Sequence, residues 1–223
     1  MASTIDVYLE IGNKRTFAGA IDWPGWCRRG RDEDSALRAL LDAAPRYALA
    51  LRWTRLGFAA PADGSALRVA ERLEGDANTD FGAPGQAPTA DAAPFGDAEL
   101  GRSRTILAAC WRAFDATVGS ATGVELGTGS RGGGRTLESI VDHVIDADAS
   151  YLPRLAWKPR KGDRALEGTR RAVLDALDSA VANGLPERGP RGGAIWTPRY
   201  FVRRAAWHVL DHAWEIEDRT ARS

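Results

Sequence analysis

The sequence predicts an α+β protein in which a small N-terminal β-β-α-β unit is followed by a four-helix bundle. Three observations point there. Apolar residues alternate with period two near the N-terminus, and they recur at helical spacing beyond about residue 95. Between these regions lies a stretch rich in Gly, Pro, Ala and Asp with no sustained period. A chain of 223 residues is long enough for two such units.

Ile5, Val7, Leu9 and Ile11 point one way and Asp6, Tyr8 and Glu10 the other, the pattern of a half-buried strand. Gly12-Asn13 marks a turn, and alternation resumes through Phe17, Gly19 and Ile21, so a hairpin is expected. Trp23-Pro24-Gly25-Trp26 breaks the strand. Asp34 or Ser35 can cap a helix with Leu37, Leu40, Leu41 and Ala44 on its apolar face. Pro45 is expected to kink that helix or to open a second one ending near Leu56. Leu67, Val69 and Leu73 predict one more strand. This unit, residues 1–75, is small for an independent core. The run GDANTDFGAPGQAPTADAAP, ending at Pro94, reads as a linker or long surface loop over 76–94.

The bundle is expected over 95–223. Asp97 can cap a first helix with Leu100, Ile106, Leu107, Trp111, Phe114 and Val118 at core spacing. A Gly-rich loop, 119–135, precedes a second helix capped by Thr136 and running to about Trp157, with Ile140, Val144, Ala147 and Tyr151 inward. A third helix spans roughly 163–183 and ends at Asn183-Gly184. Thr197-Pro198 places an N-cap before a first-turn proline, opening a fourth helix that reaches about Arg219. Four helices of this length joined by polar loops favour a bundle.

Composition narrows the function. Thirty basic and thirty acidic residues cancel, so no global field recruits nucleic acid or an anionic membrane. No apolar run approaches the roughly 18–20 residues of a membrane span, and no leader pattern opens the sequence. Cys27 and Cys110 form no CxxC and read as reduced thiols of a cytoplasmic protein. The expected partner is a small-molecule substrate, with no nucleic acid and no membrane; the oligomeric state stays open, a homodimer included.

The residues that point to chemistry are the three histidines, His143, His208 and His212. His208 and His212, four apart on one predicted helix, lie about 40° apart around its axis. His143 sits on the apolar side of the second helix, so two facing helices would bring three imidazoles to one point, as bundles do when they build metal sites. Three neutral imidazoles bind a borderline divalent ion and leave its charge uncompensated. A water or thiol at an open position would then ionise more readily. Asp142, Asp146, Asp211 and Glu215 surround the site. Glu215 shares the face of His208 and His212 and is a candidate fourth ligand, an acceptor for an imidazole N–H, or a catalytic proton acceptor. The donor set suits Zn²⁺ or Ni²⁺, with Fe²⁺ or Mn²⁺ also compatible.

DHVIDAD on the second helix and WHVLDHAWEIEDR on the fourth resemble the DinB superfamily. The resemblance covers about residues 95–220 and implies a metal-binding four-helix bundle whose ligands are His143, His208 and His212. It also implies an activity. Several DinB-like proteins are similar to low-molecular-weight-thiol transferases and to mycothiol-dependent maleylpyruvate isomerase, in which a metal holds the thiol as a thiolate that attacks an electrophile. Mycothiol or another low-molecular-weight thiol is the cofactor this implies. Other members are metal-binding stress proteins without an assigned substrate, and metal-assisted hydrolysis is a third alternative. In the N-terminal unit, RTFAGAIDWPGWCRRGRDEDSALRALL is similar in layout to HicB-like folds, though nothing there reads as a helix-turn-helix.

Three further features are candidate site components. Arg199, Arg203 and Arg204 form a basic stripe on the fourth helix; Arg199 and Arg203 are candidate contacts for an acidic thiol cofactor. Arg131 and Arg135, in a loop with seven glycines over 119–135, are candidate anion contacts, but no Gly-Lys-Ser/Thr makes it a P-loop. Cys27 has no histidine in its own unit to activate it as a nucleophile.

Overall fold

A computed structural model of the chain describes residues 4–128, 134–158 and 165–221. The chain divides into two compact units, Met1–Ala93 and Pro94–Ser223. The architecture is α+β, a strand unit followed by helices. Among the described residues no helix is long and apolar enough to cross a membrane.

In the first unit β1 (Ile5–Ile11) pairs antiparallel with β2 (Thr16–Ala20), with Tyr8 opposite Gly19 and Leu9 opposite Ala18. A Cβ on Gly19 would come within 2.5 Å of the Tyr8 ring, so the aromatic side chain occupies the space that the glycine leaves across the ladder. Beyond the hairpin the structure adds a strand that the sequence pattern lacks. The Trp23–Trp26 turn, with Gly25 at φ 96°, brings the chain back beside β2 as β3 (Cys27–Gly30). Four residues containing Arg28 and Arg29 are too short and too polar to show a period. The strand order is β3-β2-β1-β4, and β4 (Leu67–Glu74) runs parallel to β1. A parallel pair needs a crossover, which α1 (Glu33–Leu51) supplies while packing on β2 and β3.

Asp32 caps α1, two residues before Asp34 and three before Ser35, and Ser35 completes a capping box with it. Pro45 stays inside the helix, which ends at Leu51 rather than opening a second helix to Leu56. Tertiary contacts outweigh the lost N–H. The Trp26 indole donates to the Leu40 carbonyl at 2.8 Å, and Tyr47 donates to the Pro24 carbonyl at 2.8 Å while stacking on Trp26.

The segment expected to be a linker folds onto this sheet instead. Asp76 caps the short α2 (Ala77–Phe81), and Gly82 closes it at φ 114°. Glu10, fully buried in β1, accepts hydrogen bonds from the Thr79 hydroxyl and from the backbone N–H groups of Gly85 and Gln86. Glu71 likewise accepts from Thr89 N–H at 2.9 Å. Thus Val7, Tyr8, Leu9 and Glu10 are all buried, and β1 is covered on both faces rather than half-buried. Burial raises the pKa of the Glu10 carboxyl, and the hydrogen bonds offset only part of that.

The second unit holds α3 (Asp97–Ala121), α4 (Leu137–Tyr151), α5 (Leu166–Asn183) and α6 (Pro198–Thr220). α6 packs on α3 and α4, and α5 packs on the same two, which closes a four-helix arrangement. Thr136 and Thr197 cap α4 and α6 through their hydroxyls, and Gly184 ends α5. Gly96, not Asp97, is the cap of α3; Asp97 and Glu99 occupy its first turn. α4 stops at Tyr151, six residues short of Trp157, because Pro153 sits in a 3₁₀ turn over Leu152–Leu155 that Ala156 closes at φ 56°. α6 is the most enclosed element: Phe201, Val202, Trp207, Val209, Leu210, Trp214 and Ile216 are buried, and so are both of its histidines.

Candidate metal centre

His143 stands mid-way along α4, while His208 and His212 stand one turn apart on α6. Packing of α4 on α6 brings the three rings together. Ring centroids lie 5.0 Å apart for His143 and His208, 4.9 Å for His143 and His212, and 4.6 Å for His208 and His212. One nitrogen from each ring falls within 4.8 Å of the others, so the three can hold a metal ion.

The spacing fits ligation. The Nε2 atoms of His143 and His208 are 3.2 Å apart. Metal–nitrogen bonds of about 2.0–2.1 Å spanning such a gap subtend about 100° at a shared cation, between octahedral and tetrahedral angles. Protonation is disfavoured at the same place. Burial, followed by the charge of His212, lowers the pKa of His143; for His208 burial, then His212 and His143, lower it well below the ordinary value. Neutral imidazoles keep their lone pairs for a cation.

The surrounding groups orient the ligands. Glu215 Oε2 lies 2.8 Å from His212 Nδ1, which leaves His212 Nε2 as the nitrogen facing the cluster. Its other oxygen accepts from Arg219 at 3.2 Å. Of the three roles open to Glu215 in the sequence, the geometry therefore gives acceptor of an imidazole N–H, with both oxygens engaged. These contacts hold the Glu215 carboxyl below its usual pKa, the His212 hydrogen bond contributing most. Arg219, buried at the end of α6, also donates to the carbonyls of Gly127 at 2.8 Å and Arg135 at 2.9 Å, pinning both described ends of the Gly-rich loop. The only sign of Arg219's role in the linear chain is its position four residues after Glu215.

Arg199 and Arg203 stand away from the three histidines. Arg199 pairs with Glu99 at 3.0 Å and donates to the Pro94 carbonyl at 3.1 Å, so it ties α6 to the start of α3. Arg203 is buried in the bundle. On a helix of 100° per residue, these two lie about 180° and 140° from His208, whereas Arg204 lies about 40° away. The apparent stripe belongs to two faces. Arg204 packs over the rings of Tyr151 and Trp207. Tyr151 in turn contacts His208 at 6.2 Å and Trp196 at 5.2 Å between centroids, which places both aromatic rings beside the site. Asp142 and Asp146 are exposed on α4. Arg135 lies near enough to act electrostatically on His143 and His208; Arg131 lies outside the described residues.

Neither cysteine belongs to this centre. Cys27 and Cys110 are buried and form no disulfide, and burial pushes the Cys110 thiol up to about 12. Cys27 accepts a weak contact from the Tyr8 hydroxyl at 3.8 Å. Compared with family models, curated proteins and solved structures, the chain matches none.

Proposed function

We propose that this chain is a metal-dependent enzyme of the DinB-like class, which transfers or adds a low-molecular-weight thiol to an electrophilic small molecule at a divalent cation held by His143, His208 and His212. The observation that carries the reading is the convergence of three imidazole nitrogens from two helices within 4.8 Å. A cation with three neutral nitrogen ligands would supply uncompensated charge that favours the anionic form of a thiol near neutral pH. An all-imidazole set favours Zn²⁺ or Ni²⁺ ahead of Fe²⁺ or Mn²⁺.

The chain's own residues have distinct tasks in this reading. Glu215 fixes the tautomer and orientation of His212 through Nδ1, and Arg219 holds Glu215 in place. Tyr151 shields one side of His208 from water. Engagement of both Glu215 oxygens also favours thiol chemistry over hydrolysis. Hydrolysis would ask that carboxylate to accept a proton from water, whereas a thiol needs no separate base once a cation has lowered its pKa.

Elemental analysis and cobalt spectroscopy test the proposal together. The purified chain should bind one equivalent of metal, and replacing any of the three histidines by Ala should abolish stoichiometric binding. Mycothiol, bacillithiol or glutathione should add a sulfur-to-cobalt charge-transfer band to the Co²⁺-loaded protein. A cobalt spectrum that none of these thiols moves would leave a non-catalytic metal-binding protein as the surviving account.

A further inference from the structure

We propose that the histidine site takes a small carboxylate-bearing molecule, whose carboxylate pairs with Arg204 between the rings of Tyr151 and Trp207. The proposal rests on the reading of the histidine cluster as a cation site. Arg204 precedes His208 by one turn of α6 and shares its face. Its guanidinium lies 4.7 Å from the Trp207 ring centroid and 5.6 Å from that of Tyr151. Both rings also flank His208, at 6.1 Å and 6.2 Å between centroids. The guanidinium and the imidazole thus border the same two aromatic surfaces, and a ligand at one is within a few bonds of the other.

Among the described residues, Arg204 lacks the carboxylate partner that Arg170, Arg199 and Arg219 have. Arg170 is paired with Asp115, Arg199 with Glu99 and Arg219 with Glu215. Arg204 Nη1 is shielded from solvent and has no hydrogen-bond partner among the described residues. A shielded cationic N–H left unbonded costs free energy, and an anionic ligand that completes the bond removes that cost. Two ring faces hold the guanidinium in a fixed orientation, so little of its freedom remains to be lost when an anion arrives. The carboxylate nearest the histidines, Glu215, is already committed to His212 and Arg219. A bound divalent cation would therefore add positive charge beside an uncompensated arginine, and an anionic ligand balances both.

Titration of the Co²⁺-loaded full chain with 3-mercaptopropionate, 2-mercaptoethanol and propionate tests this, read by calorimetry and by the cobalt spectrum. 3-Mercaptopropionate should bind about ten- to hundredfold more tightly than 2-mercaptoethanol, the range expected of one charge-assisted hydrogen bond. Arg204→Met should erase that preference while leaving 2-mercaptoethanol affinity and cobalt content unchanged. Arg204→Lys, which keeps a charge but not the planar fork, should give an intermediate preference and decides the matter if the Met variant does not fold. Equal binding of the two thiols to the unaltered chain overturns the carboxylate proposal and leaves the thiol reading standing. No response to either thiol, with propionate binding that depends on Arg204, supports the carboxylate site and overturns thiol chemistry. Propionate and 3-mercaptopropionate binding that is unchanged in Arg204→Met, or absent altogether, overturns the proposal.

Discussion

Asp148 on α4 is 3% exposed, and its Oδ1 has no hydrogen-bond partner among the described residues. Burial raises its pKa to about 7, with Arg170 pulling weakly the other way. The unfolded chain should show an ordinary Asp value of about 3.9. Between these values the folded state binds more protons than the unfolded one, so this side chain favours folding below pH ~4. That contribution fades as the pH rises and is fully lost above about 7. A gap of roughly three pKa units corresponds to about 4 kcal/mol, a large fraction of the ~5–15 kcal/mol that stabilises a typical domain. Asp148→Asn keeps the shape and removes the ionisation. Urea unfolding of the metal-free protein and the variant, at half-unit steps from pH 4.5 to 8.5, should show two curves that meet near the acid end. They should diverge by up to about 4 kcal/mol at pH 8, with the Asn variant the more stable. His143 and His208, whose pKa values are lowered, act in the opposite sense. They cost stability as the pH falls below 6.5, but equally in both proteins, so the difference curve isolates Asp148. Parallel curves across the range would mean that Asp148 is solvated or paired in the folded state and would sink the argument.

Other outcomes follow from the same geometry. Glu215→Gln should weaken metal affinity about 10–100-fold, measured by competition with a chromophoric chelator, while the fold is retained. Saturating metal at 100 times its Kd should stabilise the protein by about 2.7 kcal/mol; calorimetric scans with and without chelator should show the shift, and His208→Ala should remove it. Gly101 lies exposed within α3, and a Cβ there meets nothing within 4 Å. Gly101→Ala should therefore raise stability by about 0.5–1 kcal/mol. Gly19→Ala should instead lower it by about 1–3 kcal/mol, because the new methyl would strike the Tyr8 ring at 2.5 Å. Chemical denaturation of the two variants should give opposite signs.

Local chemistry made several features readable before any folding was considered. Thr136 and Thr197-Pro198 announce helix starts through the geometry of a cap and a fixed φ, both of which act within one turn. The pairing of His208 and His212 on one face is a consequence of helical pitch alone, and the apolar neighbours of His143 set its direction. Partners distant in the chain settled the rest. Glu10 looks like a solvent-facing strand residue until Thr79, Gly85 and Gln86 fold back over it, 69 to 76 positions away. Pro45 looks like a helix breaker, yet α1 runs on to Leu51, its buried side held by the Trp26 indole on the Leu40 carbonyl and by Tyr47 stacked on Trp26. Glu215 and Arg204 carry several roles in the linear chain, and neighbours choose among them. An imidazole and Arg219 occupy Glu215, while two aromatic rings hold Arg204 and no carboxylate among the described residues pairs with it. Sequence periodicity reports the direction in which a side chain points, because that depends on its own backbone. What it meets there depends on contacts whose position along the chain no local pattern encodes.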